Sequence, residues 1–124
     1  MTSTTENPML TRLEALLEKG PDSTVLRFGL AKGYLEAGAF DTAIAHARGA
    51  LALDPGYSAA WKILGRALAA SGAKEAAREA WQAGIAAAQA RGDMQAVREM
   101  QVFVKRLLRE HAQDPASDIP KTEL

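Results

Sequence analysis

The chain has 124 residues and a mass of 13.2 kDa, with 48% hydrophobic and 24% charged residues, the size and balance of one compact domain rather than a multidomain enzyme. Fifteen Lys and Arg are matched by fifteen Asp and Glu, and the pI is near 6.7, so no whole-molecule field draws the chain to nucleic acid. The lack of Cys excludes a disulfide framework, a thiol nucleophile and a thiolate zinc site, and leaves the redox compartment unreadable. About a fifth of the residues are Ala and only 6% are aromatic, a composition that suits closely packed helices.

Residues 1–8 are polar and lack a cationic run followed by an apolar core, so no secretory or transit signal is expected there and the expected location is the cytoplasm. The first helix is predicted over 8–19, with Asn7 as N-cap, Pro8 in its first turn and Met9, Leu10, Leu13, Leu16 and Leu17 on one face. Gly20 and Pro21 end it. The second is predicted over 23–37 and the third over 40–53, separated by Gly38 and closed by Asp54 and Pro55. The fourth, 58–70, and the fifth, 74–90, are split by Ser71 and Gly72. The sixth follows Asp93 and carries Met94, Val97, Met100, Phe103, Val104, Leu107 and Leu108. Residues 113–124 contain Pro115, Pro120 and scattered charges with no periodic apolar face, the pattern of a disordered tail. The most apolar stretch, 43–53, is interrupted by His46 and Arg48 and falls far short of the roughly 20 residues a membrane span needs.

The two hairpins repeat. Pro55, Leu64, Gly72 and Ala77 lie 34 residues beyond Pro21, Leu30, Gly38 and Ala43. Trp61, Leu64, Gly65 and Ala77, with Leu68 for Tyr and Trp81 for Phe, fit the pattern of the tetratricopeptide repeat family, which the chain resembles. The first copy keeps Leu30, Tyr34, Ala43 and Pro55 but has Ala31 for Gly, Arg27 for Trp and Ala47 for Phe. In the second copy Gln89 replaces the final Pro, and Gly84 softens the helix by about 1 kcal/mol relative to Ala. The resemblance implies an all-α solenoid of about six helices in antiparallel hairpins. It would form one domain over 1–112: a capping helix at 8–19, repeats at 23–55 and 58–91, and a capping helix at 94–111. Arg98 and Glu99 occupy the Leu-Gly sites of the sixth helix, which makes it a cap rather than a third repeat.

Candidate chemistry is sparse. His46 and His111 sit on different elements, without ligand partners at metal spacing, and read as surface histidines. Gly33 and Gly38 have the outer spacing of a phosphate loop, but Ala39 and Phe40 replace its Lys and Ser/Thr. No nucleophile–base–carboxylate set can be assembled. The expectation is no catalysis, no metal and no cofactor.

The resemblance instead implies a binding surface, since first helices of successive tetratricopeptide repeats line a concave groove for an extended peptide or a helix of another protein. The groove residues it assigns here are Val25, Phe28, Lys32, Leu35, Lys62 and Arg66, suited to a segment with an apolar anchor and acidic flanks. The Lys/Arg/Asn clamp with which some members hold chaperone C-termini is missing in its usual form, because Asn7 is the sole Asn. From Ser58 to Ala112 there are nine Lys and Arg against five Asp and Glu, so the acidic tail, with Asp114, Asp118 and Glu123, could fold back on the groove. Nucleic acid is not an expected partner, because both Trp residues are assigned to packing; nor is a membrane. The expected function is therefore a cytoplasmic adaptor for another protein. The alternative is a self-associating building block, a homodimer packed through Leu10, Leu13 and Leu17 at one end or Met100, Phe103 and Leu107 at the other.

Overall fold

The structure, a computed structural model, describes residues 7–112. Over that span the chain is a run of six helices with no strand: α1 Pro8–Lys19, α2 Thr24–Glu36, α3 Phe40–Leu53, α4 Ser58–Ala70, α5 Lys74–Arg91 and α6 Met94–Ala112. The expected tail lies outside the described residues. Asn7 caps α1 by accepting from the amides of Met9 and Leu10, and Ser23 caps α2 through the Leu26 amide at 3.0 Å. The turns between paired helices use Gly38, Gly72 and Gly92 with φ of 80°, 95° and 75°, a left-handed backbone that costs Gly little and other residues more.

Each helix packs on its neighbours in sequence. In addition α2 touches α4, and α4 touches α6, whereas the backbones of α3 and α5 stay apart. The even-numbered helices therefore form the inner row and the odd-numbered ones a splayed outer row, as a curved all-α solenoid requires. Two clusters make the interior, Leu10, Leu30 and Tyr34 between α1 and α2 and Ala31, Ala47, Ile63, Leu64, Trp81, Val97 and Met100 through the rest, with the partly buried Leu35 and Ile44 packed against both.

Alanine and glycine at the crossings set the helix spacing. A Cβ on Gly65 would overlap the Trp81 indole, and one on Gly84 would lie 2.6 Å from both Met100 Sδ and Trp61 Cβ. Gly84 thus admits the neighbouring helices α4 and α6 closely, which offsets its cost to helix propensity. The sixth helix takes the place of a third inner helix with a slipped register. Ala96, Val97 and Met100 stand 36 residues, not 34, beyond Ala60, Trp61 and Leu64, because α5 has 18 residues where α3 has 14 and the following turn is shorter.

Two expectations are corrected. His46 is buried rather than on the surface, at 9% exposure. Leu10, Met100 and Leu107, expected to face outward for self-association, are interior residues, because α1 and α6 turn their richest apolar faces onto α2 and α5.

Candidate interaction surface

The inner row creates a cleft of about 300 Å³ toward the C-terminal ends of its helices. Leu35 of α2, Ala69 of α4 and Phe103 and Leu107 of α6 form its apolar lining, with the edge of Trp81 beneath. Phe103 is fixed by its ring contact with Trp81, with centroids 5.2 Å apart. Arg66 and Arg106, both exposed, and Glu110 stand around it. Neither arginine has an ion-pair partner among the described residues, so both guanidiniums keep their donors for solvent or a ligand.

Of the residues assigned from sequence, Leu35 and Arg66 border this cleft. Lys62 lies elsewhere, in a polar recess with Ser58, Asp93 and Gln95. There its ammonium donates to Glu99 Oε1 at 2.8 Å, and that hydrogen bond holds the Glu99 carboxyl below its usual range. Phe28 is half-buried, packed on the core and edge-on to Tyr57 with ring centroids 5.5 Å apart. Lys32 is exposed on α2. Val25 is on the other side of α2, in an apolar groove shared with α1. The residues sequence reasoning missed are Phe103 and Arg106, hidden by the 36-residue offset of α6.

A second polar constellation lies within the first hairpin. Arg27 donates to both carboxylate oxygens of Asp22 at 2.9 Å, and its Nη1 lies 3.2 Å from His46 Nδ1. Tyr34 donates to Glu14 Oε2 at 2.6 Å, stacks on the His46 ring, and shares Glu14 with His46 Nε2 at 3.7 Å. The donor on one side of His46 and the carboxylate on the other place its proton on Nε2. Burial holds the His46 pKa below its ordinary value, against the pull of Glu14. Burial, reinforced by Glu14, pushes the Tyr34 phenol up to about 12, and the Arg27 hydrogen bonds keep Asp22 low. The set joins α1, α2 and α3, with His46 and Tyr34 buried and Asp22 exposed at its edge. Among the described residues no group of three or more His, Asp or Glu is placed to hold a metal ion, and no helix is long and apolar enough to cross a membrane.

Comparison with known proteins gives a consistent result. The family model for the tetratricopeptide repeat matches residues 34–100. A Pseudomonas aeruginosa protein named TPR repeat-containing protein PA0015 is 48% identical over 99 residues, covering 80% of this chain and 94% of that protein. The solution structure of protein BPP2914 from Bordetella parapertussis superposes with a TM-score of 0.78 at 47% identity, over 96% of this chain and 99% of that one. The 34-residue period, the paired helices and these matches agree: the chain belongs to the tetratricopeptide repeat family.

Proposed function

We infer that this chain, in keeping with the protein–protein interaction role of the tetratricopeptide repeat family, is an adaptor and that its ligand-binding centre is the cleft between α4 and α6. A ligand side chain of the apolar kind enters over Phe103, Leu35 and Leu107, while flanking carboxylates reach Arg66 and Arg106. The observation that carries this reading is the pair of arginines without ion-pair partners beside an apolar lining. Lys32 extends the same charge along α2. Lys62, engaged by Glu99, contributes less than its place in the repeat suggests, and Phe28 supports the inner row from within.

Affinity capture from native lysate, with the wild type and Arg66→Glu/Arg106→Glu in parallel, tests the reading. Both arginines are exposed, so the variant keeps its helicity. A protein retained by the wild type, lost by the variant and released by salt names the ligand; equal retention by both proteins removes the cleft from the reading.

A further inference from the structure

The 34-residue translation shows which surfaces a complete stack covers. Met9, Leu13 and Leu16 of α1 translate to Ala43, Ala47 and Ala50 of α3, all fully buried. On the facing side of α2, Leu26 and Gly29 translate to the buried Ala60 and Ile63 of α4. In the first hairpin, α2 lies over this junction. At α1 no described helix does: the α1 backbone approaches that of α2 alone, Met9 is 67% exposed, Leu16 58% and Val25 67%. The result is a groove of about 570 Å³, open where the preceding inner helix would sit and lined by no charged residue.

We propose that this groove is a homodimer interface in which α1 of a second copy lies across α1 and α2, each copy filling the groove of the other about a two-fold axis. Met9, Leu13 and Leu16 recur at intervals of four and three, the stripe a helix needs to enter such a groove. The groove therefore contains on its own wall the element that fits it, the condition for an isologous contact. The uncharged lining gives a charged partner segment nothing to pair with. A formal net charge of zero removes long-range repulsion between copies.

The opposite end of the stack is a poorer match. The outward face of α6 sets the exposed Arg98, Gln101, Lys105 and Arg109 between its exposed Met94, Val102 and Leu108, so head-to-tail stacking would press cations into an apolar groove. Two-fold pairing avoids that burial and closes at two copies. The segments outside the described residues carry no comparable stripe: 1–6 has Met1 as its one apolar residue, and 113–124 has Ile119 and Leu124 interrupted by Pro120. The interface uses no residue of the cleft between α4 and α6.

Sedimentation velocity from micromolar to millimolar concentration should show a monomer converting to a dimer and no larger species. Met9→Glu/Leu16→Glu, which alters only exposed side chains, should stay monomeric over the whole range with unchanged helicity. The native chain has no Cys, so Leu13→Cys, near the axis, should form a disulfide-linked dimer under mild oxidation, and Val102→Cys on α6 should not. A wild type that remains monomeric, a dimer that survives the double substitution, or growth into longer assemblies would each overturn the proposal.

Discussion

Arg27 Nη1 lies 3.2 Å from His46 Nδ1, a contact between α2 and α3 that links a buried ring to an exposed carboxylate through one guanidinium. The corresponding place in the next repeat is Trp61, whose indole donates to the Pro55 carbonyl at 2.8 Å. Each side chain ties its helix back to the preceding turn, one through a bidentate ion pair with Asp22 and the other through a single neutral hydrogen bond.

Replacing Arg27 by Met retains most of the aliphatic volume but removes the donor to His46. The stranded ring nitrogen should cost about 1–3 kcal/mol, read as a lower urea midpoint with an unchanged m-value. The loss of a nearby positive charge should also raise the His46 pKa in a proton NMR titration, since Arg27 is one of the influences lowering it.

Stability should fall as pH drops below 6.5. Burial favours neutral His46 in the folded chain, so the unfolded chain takes up the proton first, and stability present above the unfolded pKa is lost on approach to the depressed folded one. The groups facing the ring are Glu14, Arg27, Asp22 and Tyr34. Asp22, Asp54 and Glu99 are also depressed but act in a separate window, below their ordinary values of 3.8 to 4.5. Urea midpoints above and below pH 6.5 should therefore differ in the wild type, and the difference should shrink in His46→Gln.

Two glycine substitutions in helices should behave differently. Gly65→Ala places a methyl group against the Trp81 indole, and overpacking of this kind costs about 1–3 kcal/mol. Gly49→Ala meets only the Arg27 side chain, at 3.2 Å, but Asp22 and His46 hold that side chain in place. Its gain in helix propensity, up to about 1 kcal/mol, should be offset by the displacement of Arg27, leaving the variant near neutral in thermal melts.

Leu10 and Leu16 belong to the same helix and differ in exposure, 1% against 58%. Leu10→Ala should cost about 2–5 kcal/mol, because it empties the contact with Gly33. Leu16→Ala should stay within about 0.5 kcal/mol when measured at concentrations where the chain is monomeric.

The helices were legible because their boundaries are written locally. Asn7, Ser23, Gly38, Gly72 and the Asp54–Pro55 pair act on adjacent backbone, and the 34-residue period shows which faces pack together. The Arg27–His46–Glu14–Tyr34 set was not legible, since its members lie on three helices and meet only after packing. Its one trace in the sequence was the paired departure of Arg27 and Ala47 from the repeat pattern beside an unexplained His. The C-terminal wall of the cleft was missed for a different reason. A search at a fixed spacing of 34 places Arg98 and Glu99 at the key sites of α6, whereas a spacing of 36 aligns Val97 with Trp61 and Met100 with Leu64.

Side-chain caps occur on α1, α2 and α6, through Asn7, Ser23 and Asp93, while α3, α4 and α5 begin at Ala39, Tyr57 and Ala73 with none. The peripheral helices thus hold their own first turns, and the three central ones depend on neighbours to hold theirs. Such a stack has no autonomous middle. Amide protons of α3 through α5 should exchange most slowly, while α1, whose backbone approaches one other helix, should open first. The end carrying the open groove is then also the end expected to open locally, so whatever covers α1 should slow that opening.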